Sequence, residues 1–182
     1  MRMHPDLAPV FVARSQYYLG VEYPAKLRAA LLAIPADRLW WRPQPSANSA
    51  GNLVLHLAGN VRQWVVSGIG GAPDVRERDA EFAAEGGWDH ARLLAHLDAA
   101  CADAVAVIGT LDAESLAATR TIQGRDTSVL SALYHVVEHF SGHVGQIILI
   151  AKWLVPDAVQ FYDDTGGLAR PTFLPEGQSD VT

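Results

Sequence analysis

Three histidines recur at every fourth position within one apolar stretch of the chain: His135, His139 and His143. In an α-helix, residues four apart lie roughly 40° and 6 Å from each other, so two neighbours in this series can bind one metal ion. His135 and His143 are about 12 Å apart along the helix axis, so we do not expect all three to share an ion. A third ligand should come from another helix, and His56 is the candidate.

His56 belongs to a second polar series at the same spacing, between Asn52 and Asn60. Burying two polar stripes against each other costs free energy unless their groups find partners, and a divalent metal can serve several neutral imidazoles. We therefore expect the two stripes to face each other around a metal ion. Three histidine ligands leave an ion such as zinc with an open position, which is typical of catalytic sites.

The roles of His135 and Glu138 are open in the sequence. His135 could pair with His139 in place of His143, or lie one turn deeper as a hydrogen-bond partner of a ligand. Glu138 is a candidate partner or general base, although it lies about 100° around the helix from His139 and could instead point outward. Imidazole ligands suit zinc, nickel, iron and copper alike, so they leave the identity of the ion open.

The composition indicates a globular protein without internal disulfides. Its 182 residues suit one domain, and a hydrophobic share of 49% with 19% charged residues is ordinary. The single cysteine, Cys101, lies in an alanine-rich helical pattern and is interpreted as a small buried side chain. A net charge of −6 without a basic run argues against a nucleic-acid partner. Because we find neither a signal-like segment nor roughly 20 consecutive apolar residues, we expect a cytoplasmic protein without a membrane partner.

Four long helical patterns, separated by proline-rich and glycine-rich loops, predict an all-α four-helix bundle. The first helix is expected from about Asp6 or Leu7 to Ile34, with Pro24 kinking or dividing it. The other three are expected at about 49–67, 89–111 and 126–154. The candidate caps are Ser46, Asn48 or Ser49 for the second helix and Asp126 or Thr127 for the fourth.

The remaining segments are predicted as loops and a tail. The polar loop 74–87 is interpreted either as solvated surface or as a lid or pocket edge, and residues 116–125 as an extended segment. We expect the bundle to occupy residues 1–155 and a tail to occupy residues 156–182, packed on the bundle or trailing from it.

The chain resembles the DinB-like superfamily, which includes the YfiT-like metal-dependent hydrolases. The matching motifs are Trp40-Trp41-Arg42-Pro43, 48–53, 56–60, 76–82 and 138–147. The resemblance implies a four-helix bundle of up-down-down-up connectivity, often dimeric. It also implies a divalent ion held by His56 of the second helix and by His139 and His143 of the fourth. Some members resemble thiol transferases or isomerases that use bacillithiol, mycothiol or glutathione at the metal.

Two classes of function are consistent with these residues. The first is a metal-dependent enzyme, with zinc or nickel, or else iron, acting on a small-molecule substrate. A low-molecular-weight thiol could then attack an electrophile, which we place ahead of hydrolysis by activated water with Glu138 or His135 relaying protons. The second is a non-catalytic, stress-related binding protein or dimeric scaffold. In either class we expect a homodimer.

Overall fold

The computed structural model describes residues 7–157, 159–167 and 170–174, which form a mostly helical fold. The α-helices are α1 (Ala8–Tyr17), α2 (Tyr23–Ala33), α3 (Ala50–Val61), α4 (Arg78–Ala83), α5 (His90–Ile108), α6 (Ala113–Ala117) and α7 (Val129–Leu154). Two π-helical segments are Tyr18–Glu22 and Arg62–Ile69, and a 3₁₀ turn covers Ala36–Arg38. Two short antiparallel pairs join β1 (Thr119–Ile122) to β2 (Arg125–Ser128), and β3 (Tyr162–Asp163) to β4 (Arg170–Pro171).

The first predicted helix is a helical run divided near Pro24, as expected. Pro24 stands in the first turn of α2, and the π-helical segment Tyr18–Glu22 joins α1 to α2. Proline has no amide hydrogen to donate, so the hydrogen-bonding pattern changes in the turn that precedes it. The helix was predicted to start at Asp6 or Leu7; Leu7 is the N-cap of α1, and Asp6 lies outside the described residues.

Helix α3 begins with a reciprocal cap formed by Ser49, one of the three predicted cap residues. The Ser49 side chain accepts from the backbone amide of Asn52, and the Asn52 side chain accepts from the backbone amide of Ser49, each at 3.1 Å. This capping box satisfies two amide groups that a helix start otherwise leaves without partners. The helix behind it is almost entirely buried, including the polar residues Asn52, His56 and Asn60.

The predicted cap of the last long helix is wrong, because Ser128 caps α7 instead of Asp126 or Thr127. Those two residues lie in β2, where they pair with β1. The segment predicted as extended over 116–125 therefore contains the end of α6, strand β1 and a tight turn. Gln123 and Gly124 form that turn with positive φ angles of 52° and 74°. The hairpin delays the start of α7 by a residue or two.

The polar loop predicted over 74–87 contains a short helix, α4. Side chains from elsewhere in the chain hold this segment. The amide nitrogen of Asn52 donates to the carbonyl oxygens of Glu81, Phe82 and Ala84, and Arg42 donates to the last two. A helix this short depends on tertiary contacts, because helix nucleation is unfavourable in isolation.

The hydrophobic core lies where α2, α3, α5 and α7 meet. Its largest fully buried side chains include Leu27, Leu53, Leu57, Leu93, Leu97, Leu133 and Phe140. Cys101 is buried in α5, and burial raises the pKa of its thiol to about 12, so its interpretation as an inert core side chain is confirmed.

The last described residues continue from the end of α7. Phe161 packs against the hydrophobic core, and residues 175–182 of the predicted tail lie outside the described residues. Within the described ranges, no helix combines the length and apolar character needed to cross a membrane.

Candidate metal centre

The side chains of His56, His139 and His143 converge between α3 and α7. Nε2 of His139 lies 3.1 Å from Nε2 of His56 and 3.1 Å from Nε2 of His143. One ligand atom from each ring lies within 4.8 Å of the other two, a spacing that could hold a metal ion. His56 is buried, with 6% of its surface exposed, and the other two are half-buried.

His56 receives its outer contacts from a segment that we call the strap, residues 72–84. Its Nδ1 atom lies 3.0 Å from Oε2 of Glu81 and 3.0 Å from Nη2 of Arg76. A protonated Nδ1 donates to Glu81, whereas an unprotonated Nδ1 accepts from Arg76, so the two contacts correspond to different tautomers. Only the first tautomer leaves the lone pair of Nε2 free to face His139 and His143.

Glu81 is a charged carboxylate held by two hydrogen bonds from Arg76. Nε and Nη2 of Arg76 each donate to one oxygen of Glu81 at 2.7 Å. Burial by itself would raise the pKa of Glu81, but the hydrogen bonds from Arg76 and His56 outweigh it and lower that pKa. The negative charge favours a proton on Nδ1 of His56, which is the usual role of a carboxylate beside a metal-binding histidine.

His143 is oriented by a residue of its own helix. Its Nδ1 lies 2.7 Å from Oε1 of Gln146. An amide oxygen only accepts hydrogen bonds, so Nδ1 of His143 carries the proton and Nε2 carries a lone pair. His143 therefore also directs a lone pair toward His139.

His139 lies between the other two histidines, and no side chain among the described residues bonds to its outer nitrogen. Its Nδ1 is buried and has no hydrogen-bond partner within the described part of the chain. Burial lowers the pKa of His139 to about 3, with further lowering by His143, His56, His135 and Arg76. At neutral pH the ring is therefore uncharged, the form in which imidazole binds a metal.

The donor set fits a divalent cation. A single proton on Nε2 of His139 can be donated to His56 or to His143 but not to both, so hydrogen bonds within the group leave one lone pair unused. A cation satisfies all three nitrogen atoms at once. The two 3.1 Å separations are also near the roughly 3.4 Å expected between nitrogens bound tetrahedrally at 2.0–2.1 Å.

His135 and Glu138 lie outside this group. The ring of His135 packs against that of Trp64, with centroids 4.4 Å apart and planes inclined by 46°, and its centroid is 5.6 Å from that of His139. The geometry therefore favours His143 rather than His135 beside His139. The side chain of Glu138 is exposed, and none of the contacts found among the described residues joins it to the three histidines.

The sequence did not single out Arg76 and Glu81, although both lie in the 76–82 motif. Their position depends on a gap in α3 at Gly59, where an added Cβ would lie 1.9 Å from Oε1 of Glu81. Asn52 was expected to face the histidine stripe, but its amide nitrogen instead binds three carbonyl oxygens at the end of the strap. The family motif and the glycine were the only sequence signals for this arrangement.

A cavity of about 450 Å³ lies beneath the strap. Its apolar walls include Leu55, Val66 and Trp88, and Arg76 and Glu81 also line it. The interpretation of the polar loop as a pocket edge therefore agrees with the structure. Because Arg76 and Glu81 face both the cavity and His56, they connect the two regions.

The fold is similar to that of a crystal structure of YjoA, a DinB-like protein from Bacillus subtilis. The TM-score is 0.59 at 17% sequence identity, over 77% of this chain and 90% of YjoA. At this identity the similarity shows the fold alone, and the expected resemblance to DinB-like proteins is confirmed at the level of the fold.

No curated protein sequence matches the chain. The model of one sequence family, described as "Protein of unknown function (DUF1572)", matches residues 20–162, which include the strap and all three converging histidines. The chain therefore belongs to the DUF1572 family, with a DinB-like helical fold.

Proposed function

We propose that the protein is a metal-dependent enzyme that activates a thiol or a water molecule at a divalent ion held by His56, His139 and His143. The observation that carries the proposal is the convergence of three Nε2 atoms, two of them on rings whose opposite nitrogens have partners outside the group. We place transfer of a low-molecular-weight thiol to an electrophile ahead of hydrolysis, as expected from the resemblance.

The three histidines supply neutral donors and leave space for a substrate. Burial lowers the pKa of both His139 and His143, which keeps these rings unprotonated at neutral pH. Glu81 and Gln146 hold two of the rings by their outer nitrogens. A divalent ion bound by three histidines would lower the pKa of a thiol or water at its open position toward neutrality and so supply a nucleophile.

His135 and Glu138 are our candidates for moving protons in this reaction. His135 is half-buried, and the centroid of its ring lies 5.6 Å from that of His139. Glu138 is exposed and could exchange protons between the site and solvent. A solvent-linked pair of this kind would serve either reaction, because both thiol and water lose a proton when activated.

Several finer expectations accompany this proposal. We propose zinc or nickel, or else iron, as the ion, a small molecule or thiol as partner, and a homodimer as the assembly. We also retain the up-down-down-up connectivity of a four-helix bundle over residues 1–155, the tail 156–182 and a cytoplasmic location as proposals.

Elemental analysis of untagged protein tests the metal site directly. We expect about one divalent ion per chain in the wild type, and its loss in the double variant His139→Ala, His143→Ala. His96→Ala is the matched control, because it removes a half-buried histidine that contacts Trp88 rather than the converging group. A wild-type protein that stays metal-free after separate incubation with zinc, nickel and iron would overturn the proposal.

Cobalt-substituted protein separates the reaction classes. If the ion binds thiols, adding bacillithiol, mycothiol or glutathione should change the visible absorption of the cobalt ion. A response that is absent in the double variant supports thiol transfer. Metal binding without any thiol response favours hydrolysis or a non-catalytic role instead, and assays with ester and amide substrates distinguish those two.

A further inference from the structure

We propose that the strap is a working part of the metal centre, although it supplies no ligand. Glu81 sets the tautomer of His56 and the orientation of its ring, and thereby the affinity of the site for the ion. Glu81 is itself held by Arg76 and lies against Gly59. This inference rests on the proposed metal site and deepens it by naming positioning residues.

The ion pair that touches His56 is costly to bury. The side chains of Arg76 and Glu81 are only 4% and 10% exposed. Burying two charges is unfavourable unless hydrogen bonds satisfy them, and a buried pair is weak support for stability in itself. Here both oxygens of Glu81 accept from Arg76, and Nη1 of Arg76 donates to Oε1 of Gln63 at 2.9 Å. Within the described residues, the other hydrogen-bond contacts of these two side chains are all with His56: both residues contact Nδ1, and Nη2 of Arg76 also lies 3.5 Å from the backbone carbonyl oxygen.

The contacts with Glu81 and Arg76 correspond to two alternative tautomers of His56. The carboxylate of Glu81 accepts the Nδ1 proton, which leaves Nε2 as a lone pair directed at His139 and His143. If Glu81 loses its charge, Arg76 becomes the better partner of Nδ1, and the proton then sits on Nε2, where it blocks metal binding. Glu81 therefore favours the binding tautomer, and Arg76 both holds Glu81 and offers the competing contact.

Gly59 leaves space on α3 for the carboxylate of Glu81. A Cβ at position 59 would lie 1.9 Å from Oε1 and 2.8 Å from Cδ of Glu81, and 2.9 Å from Nε of Arg76. Alanine is a better helix former than glycine by about 1 kcal/mol, so a glycine inside α3 has a cost in helix propensity. The close approach of the strap explains why glycine occupies this position.

The experiment measures zinc affinity by competition with a chromophoric chelator. We expect Glu81→Gln and Gly59→Ala to bind one zinc ion per chain with 10-fold to 100-fold lower affinity, the range found for partners of metal-binding histidines. Glu77→Gln is the matched control, since it makes the same chemical change at an exposed position of the same strap. Its affinity should stay within about twofold of the wild type.

A second readout follows the tautomer itself. In metal-free protein, nitrogen-15 NMR of the histidine rings should show the proton of His56 on Nδ1 in the wild type and on Nε2 in Glu81→Gln. Circular dichroism and thermal unfolding of the same samples establish that each variant is folded. A general loss of structure would not produce this exchange of one proton between two ring atoms.

The outcomes separate the two proposals. Wild-type affinity and an unchanged tautomer in Glu81→Gln would overturn the role of the strap and leave the metal site intact. Wild-type protein that binds no zinc, nickel or iron would overturn both proposals, while a tautomer change in Glu81→Gln would still show that Glu81 controls the ring. If Gly59→Ala does not fold, Glu81→Gln alone decides the question.

Discussion

The two sides of the histidine group are supported in different ways. On the α7 side, His143 is oriented by Gln146, three residues away, and Nδ1 of His139 has no partner among the described residues. On the α3 side, His56 is held by Arg76 and Glu81, which lie 20 and 25 residues away in the sequence. One side is thus organised by helix periodicity and the other by a tertiary ion pair.

The two sides also differ in exposure. Gly142, Gly145 and Gln146 are exposed, and a Cβ added at either glycine would meet nothing within 4 Å. The ion pair on the opposite side is buried. The α3 side therefore holds the candidate metal ligand His56 in a fixed orientation, whereas the α7 side leaves open space next to His143.

The largest expected effect comes from removing the central histidine. His139→Ala should lower zinc affinity by more than about 100-fold, since it removes a ligand that both other rings face. His135→Ala removes a neighbour at the same helical spacing and should retain one zinc ion per chain. Chelator competition measures both. Loss of zinc in His135→Ala with retention in His139→Ala would reverse our assignment of the α7 ligands.

The next largest expected effect on zinc affinity comes from the residues that orient His143 and His56, which are Gln146 and Glu81. Gln146→Ala should weaken zinc binding by less than about tenfold, because Gln146 is exposed and water can replace its contact with His143. Glu81→Gln should have the larger effect, since no water can reproduce a buried charge held by Arg76. Parallel titrations of the two variants decide the order, and a larger loss in Gln146→Ala would contradict the comparison.

Acid should destabilise the metal-free protein through the same histidines. The folded-state pKa is lowered to about 3 for His139 and is also lowered for His143, so below about pH 6.5 the unfolded chain binds more protons. This stability is present above pH 6.5 and is lost as the pH falls toward 3. Thermal unfolding between pH 7 and pH 5 should show a falling Tm, with roughly 2–4 °C for each kcal/mol lost in a chain of this size.

A variant provides the control for that pH dependence. His139→Ala removes the most strongly shifted group and should flatten the fall in Tm. His96 has a pKa lowered by burial and by Arg62 and Arg92, so a shallower dependence should remain. An identical slope in wild type and His139→Ala would show that the converging group is not the source.

The smallest expected effect is on stability, and it distinguishes the N-cap of α3 at Ser49 from the contacts of Asn52 with the strap. Ser49→Ala should cost about 1 kcal/mol in the free energy of unfolding, the usual value for a lost N-cap, and should leave zinc affinity unchanged. Asn52→Ala should cost about 1–3 kcal/mol more, because the carbonyl oxygen of Glu81 loses its side-chain donor and those of Phe82 and Ala84 keep only Arg42. Chemical denaturation and zinc titration of both variants test this, and equal effects would contradict a separate anchoring role for Asn52.

Local patterns predicted much of what the structure contains. The four-residue spacing left either His135 or His143 as the partner of His139, and the resemblance to the DinB-like superfamily favoured His143. The polar series on the second helix made His56 the candidate from another helix. Ser49 was among the predicted caps, and the helix bounds were close because apolar periodicity is strong over these long segments.

Features that depend on distant contacts were missed. The β1–β2 hairpin takes Asp126 and Thr127 into a strand, so a cap motif adjacent to the helix was misleading. Helix α4 is too short for periodicity, and its charged residues look like ordinary solvated surface. Glu81 and Arg76 become recognisable only when the fold carries them onto Gly59 and His56.

The buried thiol of Cys101 makes the native chain a ready background for site-specific labelling. Burial raises the pKa of this thiol to about 12, and the side chain, on α5, is buried in the core. We therefore expect Cys101 not to compete for maleimide reagents at neutral pH. A fluorophore attached to a cysteine introduced on α4 can therefore report movement of that helix in otherwise unmodified protein. The same property means that added small-molecule thiols would meet no reactive sulfur of the chain itself.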